Sequence, residues 1–422
     1  MLTQARPRLW CTVPYRVPRP RSYGSGSRDL PAPARQGPGP ATATARHATE
    51  GAAMPNFHSG RDRASRPTRL PLRRRAVRRL LAVPALVLCG VLAAPAASAA
   101  PAPMTQGGPT PAAGTAGAHP AGHRAAELTK VPDFGANPGA LSMYVHRPAN
   151  LPANPPVVVA LHGCTQNAQV YADNSGLPEL AEREGFLLVL AETSTANNLT
   201  KCFNWFQATD NRRGQGEAAS IRQMAAHAVS AYGADSSRVF VTGLSAGGAM
   251  TSVMLGAYPD VFSAGAVVAG LPYECTKDNS PYLCMNPGVD LSPEQWAERV
   301  RAANPSWNGP WPRVAIWHGE KDTTVAPRNA DELRDQWTAL HGLSQTPDRV
   351  GSIGPNSTRQ EEYVGTDGKV AVEVDRVPGI GHGTPVDPGT GAEQCGSTGA
   401  PYFLASICSS HWIAKFFGLS GS

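Results

Sequence analysis

The chain has 422 residues, 41% of them hydrophobic and 17% charged, enough for two or three ordinary domains or one large α/β domain with extensions. Its formal charge of +6 is unevenly spread: residues 1–99 hold 17 Lys and Arg against 3 Asp and Glu, leaving 21 against 29 in the remainder. The part expected to fold is therefore acidic, which excludes a basic surface built for nucleic acid.

Residues 1–53 are rich in Pro, Gly and Arg without apolar period, and no structure is expected of them; Met54 is a plausible translation start. The stretch RLPLRRRAVRRL is a positive n-region, LLAVPALVLCGVLAAPA an apolar h-region, and ASA ending at Ala99 offers a cleavage site, so residues 1–99 read as an extension plus secretory signal. Pro84 and Gly90 interrupt the apolar run, which argues against a stable membrane anchor, and bulky Leu88 before Cys89 argues against a lipoprotein. Arginine pairs at Arg73–Arg75 and Arg78–Arg79 leave twin-arginine export open. Residues 100–130, rich in Ala, Pro, Gly and Thr, read as a tether. One domain is expected over 131–418.

Within it, apolar runs alternate with helical patterns. PPVVVALHG reads as a buried strand, LPELAEREG as a helix closed by Gly185, and FLLVLAET as a strand. In GEAASIRQMAAHAVSAYG, Ile221, Met224, Ala228 and Tyr232 fall on one helical face. Strand RVFVTG, helix AGGAMTSVMLGAYP and strand AGAVVAG follow, then an irregular stretch from Leu271 to Pro312. Strand RVAIWHG, helix NADELRDQWTALHG, strand KVAVEVDRV and helix SSHWIAKFFG complete the series. Strands separated by helices predict an α/β fold: a mostly parallel central sheet with helices on both faces.

Of eight cysteines, Cys11 and Cys89 precede the cleavage site. The other six suit an oxidising compartment, and neighbour order suggests Cys164–Cys202, Cys275–Cys284 and Cys395–Cys408 among the 15 possible pairings. No CxxC or HxxxH spacing points to a metal.

Gly243-Leu244-Ser245-Ala246-Gly247 fits G-x-S-x-G between a strand and a helix, the context in which that motif presents a nucleophilic serine. The chain order of such sites is serine, acid, histidine, which selects Asp322 beyond strand RVAIWHG and His382 in VPGIGHGTPVDP. Glu320 and Asp331 are rival acids; His318 precedes the acid, and His411 belongs to the last helix. The strand ending in His162-Gly163-Cys164 supplies one oxyanion-hole amide, at Cys164, and Ala246 the other, with His162 itself structural. Paired in a disulfide, Cys164 is not a catalytic thiol.

The blocks LHGCTQNA, CFNWF, RGQGEAASIRQM, GLSAGGAMTSVML, YPDVFSAGAVVAGLPY, IWHGEKDTTV and GIGHGTPVDP together resemble the secreted polyhydroxybutyrate depolymerase-type esterases, an α/β-hydrolase family that shades into feruloyl and acetylxylan esterases. The resemblance spans about residues 131–418 and implies Ser245, Asp322 and His382 as triad, Cys164 and Ala246 as oxyanion donors, and Trp205 near the substrate cleft. Depolymerases of this type usually append a polymer-binding domain, so an end at Ser422 weighs against attack on solid granules.

The expected activity is hydrolysis of carboxylic esters through an acyl-enzyme, with no cofactor required. The substrate is a polyester oligomer or an ester linked to polysaccharide; specificity would lie in the Leu271–Pro312 stretch and other loops. An acyltransferase and a non-catalytic secreted binding protein are the competing classes. Oligomeric state is not legible.

Overall fold

The computed structural model describes residues 125–420. The signal, the alternative start, Cys11, Cys89 and most of the tether lie outside the described residues. The tether's last residues do not: β1 (Thr129–Val131) pairs antiparallel with β2 (Ser142–His146), and the Ala126 amide donates to Asp173 Oδ1 at 2.8 Å. The fold thus begins a few residues before the expected boundary, because backbone pairing needs no apolar pattern to recruit an edge strand.

Strand β3 (Val157–Leu161) is followed by helices α1 (Ala168–Ser175) and α2 (Leu177–Glu184), then β4 (Leu187–Glu192) and α3 (Gly216–Tyr232). Strand β5 (Val239–Leu244), helix α4 (Ala246–Ala257) and β6 (Ala264–Val268) form the centre. Short helix α5 (Pro281–Met285), α6 (Pro293–Arg301), β7 (Arg313–Gly319) and α7 (Arg328–His341) come next. The chain then makes β8 (Arg349–Ile353), β9 (Thr358–Val364), β10 (Val370–Val377), β11 (Thr384–Val386), β12 (Phe403–Ala405) and α8 (Ser409–Phe417).

Ten strands form one sheet in the order β1-β2-β4-β3-β5-β6-β7-β10-β9-β8, and β11 pairs with β12 separately. From β4 to β10 every junction is parallel, while β1–β2, β2–β4, β10–β9 and β9–β8 are antiparallel. The parallel middle is the part that alternation of strand and helix dictates; the antiparallel margins are hairpin additions. Along β3, Val157, Val159 and Leu161 enter a core shared with α3, α4, α6 and α7, whereas Val158 and Ala160 enter one shared with α1, α2 and α8. A strand buried on both faces must be apolar at every position, as VVVAL is.

Two expectations need correction. The stretch from Leu271 to Pro312 is not irregular: it holds a 3-10 turn at Cys275–Lys277, α5 and α6, the last begun by a capping box in which Ser292 and Gln295 satisfy each other's backbone amides. The hairpin β8–β9 was not expected at all. Its first strand is exposed and its second largely polar, so an edge position hides it from apolar pattern. Among the described residues no helix is long and apolar enough to cross a membrane.

Candidate active site

Ser245 sits between β5 and α4 with φ 57° and ψ −116°, a conformation L-residues rarely adopt. The turn is held by the Ser245 amide donating to Val268 O of the adjacent strand at 2.9 Å. It also depends on two missing side chains: a Cβ on Gly243 would lie 2.5 Å from Gly247 O, and one on Gly247 2.2 Å from Leu161 O. Helix α4 is buried along its whole length, so its N-terminal amides reach the site shielded from bulk water.

Three side chains from three loops meet at this turn. Ser245 Oγ is 2.8 Å from His382 Nε2, and His382 Nδ1 is 2.7 Å from Asp322 Oδ2. The loops bearing the acid and the histidine are joined through main chain, with Glu320 N donating to Val377 O at 3.0 Å and Lys321 N to Ile380 O at 2.9 Å. Beyond His382 the chain enters β11, where Thr384 N donates to Tyr402 O at 2.8 Å, and the Tyr402 ring stands edge-on to the imidazole.

Asp322 is buried, which by itself would raise its pKa; hydrogen bonds and positive charge from His318 and His382 outweigh that and hold the carboxyl well below the usual carboxylate range. Its other oxygen, Oδ1, accepts from the Thr324 and Val325 amides, both at 2.9 Å. The rival groups are engaged elsewhere. Asp331 pairs with Arg334 and Arg376, Glu320 is exposed, and His411 lies 3.2 Å from an Arg183 nitrogen. His318, weighed from sequence as a base, packs against the acid instead: its Nε2 is 2.9 Å from Val325 O and 3.4 Å from Asp322 Oδ2.

The strand end at His162-Gly163-Cys164 lies beside Ser245. His162 is buried and its pKa is pushed down to about 4 by that burial, so the ring is neutral; Nδ1 lies 2.7 Å from Gly163 O and Nε2 3.3 Å from Thr193 N. Gly163 N is taken by Gln166 Oε1 at 2.8 Å, a restraint the sequence reading did not single out. Among the described residues the amides of Cys164 and Ala246 donate to no protein acceptor. Cys164 is bonded to Cys202, Cys275 to Cys284 and Cys395 to Cys408.

Glu217 is the buried group that sequence reasoning missed, although its block, RGQGEAAS, was in view. At the start of α3 it accepts from Asn204 N at 2.6 Å, Thr193 Oγ1 at 3.2 Å and Asn197 Nδ2 at 3.4 Å, fastening both ends of the loop that carries Cys202. Burial pushes its pKa up to about 7 despite those donors.

A cavity of about 340 Å³ opens on Ser245 and Ala246, walled by Trp205, Phe206, Leu271, Met285 and Val325, with no Asp, Glu, Lys or Arg in its lining. Trp205 is thus on the cleft and largely buried at once. Larger clefts, about 460 Å³ beside His146 and Glu182 and about 570 Å³ beside Arg313 and Lys415, are lined by charged groups and do not include the serine.

Residues 140–362 match the family described as Esterase PHB depolymerase. The chain belongs to that family. Over 295 residues it is 48% identical to poly(3-hydroxyalkanoate) depolymerase C of Paucimonas lemoignei, covering 70% of each chain. It is also 36% identical over 267 residues to an acetylxylan esterase of Coprinopsis cinerea, covering 62% of this chain and 70% of that one. The solved acetyl xylan esterase from Aspergillus awamori superposes with a TM-score of 0.58 at 30% identity, covering 70% of this chain and all of that one. As a member of the PHB depolymerase family this chain is a carboxylic ester hydrolase of α/β-hydrolase fold, akin to the polyhydroxybutyrate depolymerases.

Proposed function

We propose that the chain is a secreted serine esterase acting on poly(3-hydroxyalkanoate) or its short oligomers, with Ser245 as nucleophile, His382 as general base and then acid, and Asp322 as the group that orients it. The observation that carries this reading is the unbroken contact from Ser245 Oγ through the imidazole to the Asp322 carboxylate, 2.8 Å and 2.7 Å. His382 Nε2 takes the Ser245 proton as Oγ bonds to the ester carbonyl carbon, and the carbonyl electron pair moves onto oxygen. That oxyanion is met by the amides of Cys164 and Ala246, whose hydrogens are uncommitted, the second of them at the positive end of α4. Collapse expels the alkoxide, which takes the proton back from His382; water, deprotonated by the same nitrogen, then releases the acid and restores Ser245.

The uncharged, mostly apolar cleft supports an alkyl acyl chain, and the depolymerase named above supports the hydroxyalkanoate class. Acetylxylan is the second reading, favoured by the two xylan esterases among the relatives. Secretion rests on the N-terminal signal pattern and agrees with three disulfides. Soluble 3-hydroxybutyrate oligomers, methyl ferulate and acetylated xylan, assayed side by side, decide the substrate: the oligomers are expected to give the highest kcat/KM. Ser245→Ala should remove turnover by about 10³-fold or more with folding intact. Wild-type turnover in that variant would reject the nucleophile.

A further inference from the structure

Glu217 is wholly buried at the start of α3 and lines neither the 340 Å³ cavity nor a smaller one of about 80 Å³ between Ser245, His382 and Tyr402. A carboxyl group taken out of water is costly, and this one is out of reach of substrate. Its partners lead to the oxyanion site by two routes. Along the first, Thr193 Oγ1 donates to Glu217 Oε1 at 3.2 Å, and the Thr193 amide donates to His162 Nε2 at 3.3 Å. Thr193 N can only donate and Gly163 O can only accept, so the ring carries its hydrogen on Nδ1 and gives it to Gly163 O at 2.7 Å. Gly163 O and Cys164 N belong to one planar trans peptide, in which C=O and N–H point in opposite directions. Holding the oxygen therefore aims the hydrogen, and a hydrogen bond on the carbonyl polarises the N–H that shares its plane. Along the second route, Asn204 N donates to Glu217 Oε2 at 2.6 Å, two residues beyond Cys202, whose sulfur is bonded to Cys164. Phe203, between them, sets its ring against the His162 imidazole with centroids 4.9 Å apart.

We propose that Glu217 is a positioning residue for ester hydrolysis: through Thr193 on one flank and Asn204 on the other, it fixes the plane of the Gly163–Cys164 peptide, whose N–H receives the oxyanion. This role deepens the esterase reading above and rests on it. An oxyanion hole accelerates reaction because its donors are aimed before charge develops, and a peptide free to rock forfeits part of that gain. A carboxylate suits the post. It is acceptor-only and takes a donor from each flank at once, whereas an amide in its place turns an NH2 group toward one of them.

The test follows hydrolysis of p-nitrophenyl butyrate and binding of butylboronic acid, which adds to a serine hydroxyl and puts an oxygen where the oxyanion stands. It uses the full chain, with far-UV circular dichroism as the check on folding. Glu217→Gln, and Thr193→Val, which exchanges the hydroxyl for a methyl group of similar size, should each lower kcat about tenfold, less than the loss of a whole oxyanion donor. KM should stay within about twofold, and the boronate dissociation constant should rise by a factor similar to the fall in kcat. Thr193→Ser, which restores the hydroxyl, should return kcat to within about threefold of wild type. Wild-type kcat in a folded Glu217→Gln, or equal kcat in Thr193→Val and Thr193→Ser, would overturn the proposal. So would a fall in kcat that leaves boronate affinity untouched, since the damage would then lie outside the oxyanion site. If Glu217→Gln does not fold, the two Thr193 variants decide alone. If wild type neither hydrolyses the ester nor binds the boronate, the esterase reading itself fails; if it does both and the variants match it, only the positioning role of Glu217 fails.

Discussion

Asp322 and Asp375 belong to the neighbouring strands β7 and β10, the first just past its strand and the second within it, and both are almost wholly buried. They ionise in opposite senses. Around Asp322 two backbone amides and two imidazoles converge on the carboxylate, and the charged form is held. Asp375 accepts one hydrogen bond, from Gln360 at 3.1 Å; its Oδ2 has no partner among the described residues, and Glu373 stands beside it. Burial and the Glu373 charge raise the Asp375 pKa well above its ordinary value, and burial pushes Glu373 up to about 7. The desolvation penalty is common to both sites. What differs is the supply of donors, so a buried acid is held as an anion where the loops around it provide N–H groups and is pushed toward its neutral form where a strand interior does not.

The sharpest way to break this contrast is to neutralise each aspartate in turn. Asp322→Asn should lower kcat by about 10³ to 10⁴-fold, because the imidazole loses both its orienting acceptor and the charge that stabilises it when protonated. Asp375→Asn should leave kcat within about twofold, as the side chain lies off the cleft. Steady-state kinetics on one soluble ester reads both, and equal losses would dissolve the distinction.

Next in size is stability against pH. Because Glu373 and Asp375 bind protons more tightly folded than unfolded, their contribution is complete below the ordinary carboxylate range of about 4 and is lost as pH rises, for Glu373 toward about 7. Asp322, with its pKa lowered, contributes stability above that range and loses it as pH falls. A Glu373→Gln/Asp375→Asn variant should therefore be more stable than wild type at about pH 8, by on the order of 1–3 kcal/mol, with the gap closing toward about pH 4. Thermal unfolding at a series of pH values measures it; a gap that widens on acidification would reverse the sign assigned to the pair.

The smallest effect concerns the second imidazole. His318→Phe keeps an aromatic ring but removes the Nε2 donor shared by Val325 O and Asp322, and kcat should fall about tenfold, the worth of one hydrogen bond to a charged group. KM should stay within about twofold, since His318 is a positioning residue out of reach of substrate. An unchanged kcat would leave His382 and the backbone amides as sufficient support for the acid.

Much of this was legible in the chain because it is written locally. VVVAL and VFVTGL are apolar at every position, as doubly covered parallel strands must be, and the glycines of GLSAGG report a backbone approach too close for any Cβ. The order serine, acid, histidine selected Asp322 and His382 without any knowledge of their spacing. Other features are products of tertiary placement. In α6 only Trp296, Ala297 and Val300 are buried among charged neighbours, so its apolar stripe was too thin to register, although the Ser292-Pro293-Glu294-Gln295 start could have been read as a cap. His318 passed for a possible base because nothing in IWHGEKD tells that the turn folds the ring onto the acid four residues on. Glu217 looks like an ordinary first-turn acid, and only the loop folded over it makes it a three-way fastening.

The two amide-to-carbonyl ties between the loops following β7 and β10 bear on how such an enzyme can change. Asp322 and His382 are thus registered to each other through main chain, independently of the β8–β9 hairpin that lies between them in sequence. On the proposed reading, changes at this margin of the sheet would leave the proton relay in register.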